Sequence, residues 1–415
     1  MNTGLSKMNY CFVKVTSYYR DFLRRYYDQN PGVVNLSYDE QIAHLMSKAY
    51  SWADFYSRHL RALDNEAYEI VANAEPLQNA WAKEHGSAAT GLQIVLDQIK
   101  YLKPDVIMFQ DSYNFNGEWI KELKKIVPSI KLTFGYGCSS FNNLHLEQFK
   151  AFDFMIVCSP RFSIEFKKSG LRAYTLLHAF EDSLLDKIKI DNTYPKVDFS
   201  FFGSFIAGSG GHLLRKEVVN QLMKSKINLD IYAHILKISP LDLFLRRSAY
   251  ISAQIMKGLK LDNLAKSIPR IKKAYFLSEL PQNPKNISAI SRIAKPPVYG
   301  LDMFKAISRS KIGFNMHGEA AGDYAANVRL FEITGVGSCM VTDWKKNLNE
   351  IFEIDKEAIA FSNGDECIEK IKWLLDHPRE REEIAIAGQK RVLKDHTFKI
   401  RASQLNEIIL KELKK

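Results

Sequence analysis

No stretch of the chain approaches 18 uninterrupted apolar residues, so none predicts a membrane-spanning helix. The opening residues, MNTGLSKMNYCFVKV, hold too short an apolar run for a secretory signal. The five cysteines (Cys11, Cys138, Cys158, Cys339 and Cys367) are scattered, with no CxxC pair of the kind that builds zinc frameworks. These shortages predict a cytoplasmic protein whose cysteines are buried free thiols in reducing surroundings. A GxxxxGK[ST] phosphate loop is missing, as is any paired-aspartate loop or His/Asp/Glu group at metal-ligand spacing. Hence neither a metal nor another cofactor is expected. No nucleic-acid-binding motif is present either.

What is there points to a sizeable α/β protein. The 415 residues suffice for two ordinary domains, and 46% hydrophobic content supports large cores. The net charge of +11 is uneven: between Pro240 and Gly300 there are eleven Lys/Arg and three Asp/Glu. Such a patch meets anionic lipid or a phosphorylated substrate, or is simply a solvated face. Within it, Leu241 to Leu261 has helical spacing with Arg246, Arg247, Lys257 and Lys260 interleaved. That segment would either lie on an anionic membrane or pack on its own domain.

In chain order, Tyr10–Thr16 predicts a first strand, followed by the aromatic and basic SYYRDFLRRYYDQNP. Residues at the carboxyl end of a parallel strand face the ligand crevice, which makes Ser17 and Tyr18 candidates for acceptor contact. Tyr18, Phe22 and Tyr26 would equally suit one face of a helix. Residues 38 to 63 have helical spacing. Strands are predicted at Ala67–Ala72, Asp105–Gln110, Lys131–Tyr136, Phe152–Cys158 and Leu171–Leu177, with helices at Gly91–Leu102 and Glu118–Val127. Asp111 again stands at a strand's carboxyl end. The alternation argues for a parallel sheet with helices on both faces. His178 follows the last of these strands and is a candidate for sugar or phosphate contact, with Glu181 and Asp182 as weaker ones. The polar residues 183–195 read as a linker. Val197–Phe202 opens a second unit, and Gly203 and Ser204 form its turn. A loop containing Gly208, Gly210 and Gly211 then enters a helix near Arg215. Asn228–Tyr232 is a further strand.

The stretch Lys311–Asp343 concentrates the chemistry. It predicts a strand (Lys311–Met316), a loop opened by His317, a short helix capped by Asn327 (Val328–Thr334), glycine stops at Gly335 and Gly337, and a strand (Cys339–Thr342). A helix N-terminus approached through the small Ala325 and Ala326 suits a diphosphate. Arg329 and Glu332 share a helix face. Arg329 would hold phosphate, and the Glu332 carboxylate would accept from two ribose hydroxyls, unless the two merely pair with each other.

The motifs NxRLFE (Asn327–Glu332), GxGSxxVTD (Gly335–Asp343) and AGQKRVLKDHTFKIRA (Ala387–Ala402) resemble those of the group 1 glycosyltransferases, nearest to the spore-maturation-type branch. The likeness is strongest over residues 298–405. It implies a GT-B-like α/β fold: two Rossmann-like domains facing a cleft. The acceptor domain would span 1–185. The nucleotide-sugar domain would span 196–395, with a basic insertion near 238–297. Residues 396–415 would form a helix crossing back, with His396 structural. The resemblance further implies donor contacts at Gly203, Ser204, Arg215, His317, Tyr324, Ala326, Asn327, Val328 and Glu332. The family's first glutamate falls at Tyr324, so Glu319 or Asp323 would have to replace it. Expected is a retaining, metal-independent transfer from a nucleotide sugar, with Arg329, Glu319 and His178 nearest the chemistry. The acceptor would be a glycan or a polyprenyl-phosphate-linked sugar for a surface polysaccharide. If transfer instead inverts, His178 or Asp111 would be the base. A sugar-nucleotide epimerase and a non-catalytic sugar-binding protein remain the alternatives.

Overall fold

A computed structural model describes residues 9–188, 197–205, 213–225, 227–235, 239–277, 280–282 and 287–415. The predicted Gly208, Gly210 and Gly211 loop lies outside them, as does most of the linker.

Two all-parallel sheets organise the chain. The first comprises β1 (Cys11–Thr16), β2 (Glu66–Val71), β3 (Val106–Phe109), β4 (Leu132–Tyr136), β5 (Phe154–Val157) and β6 (Ala173–Thr175), in the order β2-β1-β3-β4-β5-β6. The second comprises β7 (Val197–Phe205), β8 (Leu229–Ile235), β9 (Ser310–Asn315), β10 (Cys339–Asp343) and β11 (Ile359–Phe361), in the order β11-β10-β9-β7-β8. Strands such as VIMF and FMIV are buried throughout because helices cover both faces of a parallel sheet. Strand order reverses between β1 and β3 in one sheet and between β7 and β9 in the other. Ligand crevices form outside the carboxyl ends at such reversals.

The sequence expectations need several corrections. Residues 38–63 form two helices, Tyr38–Ser47 and Phe55–Arg61, because Ala49, Ser51 and Ala53 take positive φ between them. Helix Glu75–Glu84 adds to the predicted elements. β7 continues to Phe205, so Gly203 and Ser204 are strand residues and not a turn. The cysteines are not all free: Cys138 and Cys158 form a disulfide, while Cys11, Cys339 and Cys367 are thiols. β4 and β5 are hydrogen-bonded neighbours, so the residues just beyond them lie side by side despite a separation of 20 in sequence.

The halves share one continuous apolar core. It runs from Phe12 and Phe55 through Phe180, Phe304 and Phe331 to Phe398 and Ile409. The last helix, Phe398–Leu413, packs its Phe398 ring on Phe55 and Tyr56 of the first half. Tyr10 Oη donates to Asn406 Oδ1 at 2.7 Å, and Arg401 Nε donates to the Leu177 carbonyl at 3.0 Å. His396 is buried here, its Nδ1 2.6 Å from Arg401 Nη2.

Candidate active site

The carboxyl ends of the two sheets face a cavity of about 800 Å³. Ser17, Tyr19, Arg20 and Tyr50 line it from the first half. Gly203, Ser204, Tyr232, Tyr299, Val328, Arg329 and Glu332 line it from the second.

The segment that carries Val328, Arg329 and Glu332 is tied to the end of β9. Asn315 Nδ2 donates to Thr342 Oγ1 at 2.8 Å, tying β9 to β10. Asn327 Nδ2 donates to Asn315 Oδ1 at 2.9 Å and to the Met316 carbonyl at 3.2 Å. Asn327 is therefore not the helix cap. Helix Arg329–Gly335 begins at Arg329, with Val328 in the capping position and no side-chain cap bond. The polar end of β9 takes the Asn327 side chain instead. Gly335 lies within the helix rather than stopping it. A Cβ there would sit 2.3 Å from Phe180 Cγ. Gly337, at φ +84°, ends the turn.

Arg329 and Glu332 pair with one another at the cavity wall, and Arg329 Nη1 also lies 2.7 Å from Met303 Sδ. Burial pushes the Glu332 carboxyl up, and Arg329 opposes that shift. Arg215 is buried, not an exposed helix residue. Its Nη1 donates to the Ser204 carbonyl at 3.0 Å and its Nη2 to the Met316 carbonyl at 2.5 Å, joining the ends of β7 and β9. Burial pulls it down to about 10, so it stays cationic near neutrality. Its Nε has no hydrogen-bond partner among the described residues, nor has the buried Nε2 of His317. His317 Nδ1 faces Asp343 Oδ1 at 2.7 Å, and its backbone N–H donates to the same oxygen at 2.9 Å. Burial works to raise Asp343, but His317, with Lys345, holds it at about 2.

Glu319 begins a short turn (Glu319–Ala321), and its Oε1 accepts from the Leu214 backbone N–H at 3.4 Å. Arg161 of the first half grips this turn, donating to the Glu319 carbonyl at 3.1 Å and the Ala320 carbonyl at 2.5 Å. Asp323 instead points to solvent and pairs with Lys346 at 2.7 Å. Of the two substitutes for the missing glutamate, only Glu319 stands beside Arg215. Tyr324 closes the turn through its backbone, donating to the Ala321 carbonyl at 3.3 Å.

His178 reaches across to the backbone of Ala326 and lies 3.0 Å through Nε2 from Tyr136 Oη. Burial and then Arg401 depress its pKa to about 4, while the Ala326 contact opposes them. A neutral imidazole that weakly basic hydrogen-bonds well but is a poor proton acceptor. Asp111 accepts from Asn114 Nδ2 at 2.5 Å and does not line the cavity. Tyr18 is also corrected. It is buried against Phe22 and Tyr50, and the exposed Tyr19 lines the cavity instead.

Sequence reasoning missed the aromatic walls. Phe202 and Tyr232 stack with centroids 4.9 Å apart on one side, while Tyr50 and Tyr299 meet edge to face on the other. Such walls suit a planar base or a sugar ring. It also missed the gathering of His59, Glu181 and Asp182 within 4.8 Å. Although burial works against it, His59, Ser183 and Arg58 hold the Glu181 carboxyl low.

A profile of a family described as glycosyl transferase-like matches residues 278–407, which include β9, β10 and the Arg329–Glu332 helix. The match spans under half of the chain's 415 residues. Solved structures repeat the fold of two parallel sheets over nearly the whole chain. A glycosyltransferase from Rickettsia africae is 11% identical with a TM-score of 0.51, covering 98% of this chain and 99% of its own. HepE from Anabaena, solved with UDP-glucose, is 11% identical with a TM-score of 0.55, covering 97% and 99%. Sucrose-phosphate synthase from Thermosynechococcus elongatus is 10% identical with a TM-score of 0.53, covering 97% and 98%. No curated protein matches the chain in sequence.

Proposed function

We propose that this transferase moves a glycosyl group from a nucleoside diphosphate sugar, held by the second half, to an acceptor presented by the first half. The observation that carries this reading is the Arg329–Glu332 pair on the wall of the cleft between two opposed strand-order reversals. Donor binding reorganises that pair: Arg329 turns to the diphosphate and Glu332 accepts from ribose hydroxyls. Gly203, Ser204 and Val328 allow close backbone approach, and the aromatic walls take the base. Arg215 and His317 add positive potential or a hydrogen bond near the leaving phosphate. Glu319 takes the sugar hydroxyls that the family's first glutamate would hold.

Transfer retains configuration. The C1–oxygen bond to the diphosphate breaks, the acceptor oxygen bonds C1 on the same face, and its proton passes to the leaving phosphate. The weak basicity of His178 supports this over inversion, leaving it to hydrogen-bond a sugar hydroxyl. Because the chain offers no paired-aspartate loop, leaving-group charge falls to cations and N–H groups, and no metal is required. The acceptor is a glycan or a polyprenyl-phosphate-linked sugar of a surface polysaccharide, and the reaction is cytoplasmic. UDP sugars are the first donors to test, given the UDP-glucose complex of HepE. The experiment is release of nucleoside diphosphate from labelled donors offered with lipid and polysaccharide fractions, with and without EDTA. The product's anomeric proton coupling is then read by NMR. EDTA-resistant release with a retained anomer is expected. Interconversion of free nucleotide sugars without transfer would contradict the reading.

A further inference from the structure

The segment between β8 and β9 leaves an apolar stripe bare. Among the described residues, helix Pro240–Gly258 packs its small Ala249 and Ala253 against Ala274, with Ile271 and Tyr275 alongside. Residues three and four apart share a helix face. On the outer face stand Leu241, Phe244, Ile251, Ile255 and Leu259, at 69, 66, 52, 57 and 65% exposure. At 1.5 Å per residue this stripe is about 27 Å long. Among the described residues, eleven of the 24 exposed large apolar side chains fall between Leu241 and Ile293. Exposed apolar residues are ordinarily scattered singly, so this concentration marks a contact surface.

The same segment carries eleven Lys/Arg against three Asp/Glu between Pro240 and Gly300. Arg246 pairs with Asp242 at 2.8 Å, and Arg247 bonds the Pro281 carbonyl at 2.9 Å. Lys260, Arg270, Lys272 and Lys273 are exposed around it. Apolar side chains with surrounding cations match an anionic bilayer on both counts: acyl chains receive the stripe and headgroup phosphates meet the charge. No helix among the described residues is long and apolar enough to cross a membrane.

We propose that this segment seats the protein on an anionic membrane surface, the stripe of Pro240–Gly258 lying in the headgroup region. The proposal goes beyond the transferase reading and does not depend on which donor is bound.

The test is flotation of the full-length protein with vesicles of phosphatidylcholine alone or mixed with phosphatidylglycerol, at an ionic strength near physiological. Capture by the anionic vesicles, lost at high salt, is expected. The double variant Phe244→Asp/Ile255→Asp alters solvent-facing positions and should melt as the wild type does. It should float at least about 100-fold less. Lys272→Ala and Lys273→Ala should each weaken capture about fivefold. Failure of the wild type to float, or equal flotation of the double variant, would overturn the proposal. So would a wild-type dimer, seen by ultracentrifugation, that the double variant dissociates, since a second copy would then cover the stripe.

Discussion

Replacing Gly300 by alanine attacks a backbone contact between the two halves. Gly300 has φ +54°, and a Cβ there would sit 2.1 Å from the Lys48 carbonyl oxygen. The same oxygen accepts from the Leu301 backbone N–H at 3.0 Å. Left-handed backbone costs an L-residue about 1–2 kcal/mol. Displacing the Lys48 carbonyl forfeits a backbone hydrogen bond, about 1 kcal/mol more. Gly86 supplies the control, since it has φ +64° and an added methyl there would meet nothing within 4 Å. Gly86→Ala therefore carries the backbone cost alone. In guanidinium titrations, Gly300→Ala should lose at least about 1 kcal/mol more than Gly86→Ala. Calorimetry should show a correspondingly larger fall in Tm. Equal losses for the two variants would refute the idea that the Gly300–Lys48 contact couples the halves.

Other expectations follow from buried groups. Burial, with Arg401 adding to it, holds His178 and His396 near 4, against an ordinary histidine value of 6.5. Between those values the unfolded chain binds protons that the folded chain refuses. Stability should therefore be full above about pH 6.5 and fall as pH drops toward 4. A Tm that stays flat from pH 7 to 4.5 would contradict this. Alkylation of the denatured, unreduced protein should modify Cys11, Cys339 and Cys367 while sparing Cys138 and Cys158, and modification of all five would exclude the disulfide. Arg161→Ala removes the grip on the Glu319–Ala321 turn, so amide exchange there should rise at least about tenfold, read by mass spectrometry. Unchanged exchange would show the contact to be idle.

The parts of this molecule legible in the sequence are those set by local spacing. Buried parallel strands announce themselves as apolar runs, as VIMF and FMIV do. Arg329 and Glu332 three residues apart had to share a face, and they do. Where a polar side chain had two possible partners, spacing misled. Asn327 looks like a cap, but the end of β9 claims it. Tyr18 and Tyr19 differ only in how the chain enters helix Arg20–Gln29, which turns the first inward and leaves the second at the cleft. Contacts between distant segments left no local trace. Arg161 meets a turn 158 residues away, Cys138 finds Cys158 only because β4 and β5 are adjacent, and Gly300 meets Lys48 across the two halves.

The most direct test of the donor site is a thermal-shift and titration series with UDP, GDP, ADP and CMP, on wild type and Glu332→Ala. A ligand bound only by the folded state raises Tm by mass action. One nucleotide series should stabilise the wild type, and the variant should bind it about tenfold more weakly or worse, from loss of hydrogen bonds to a charged group. Stabilisation by none of them, or equal binding by Glu332→Ala, would contradict the assignment of this cleft to a nucleotide sugar.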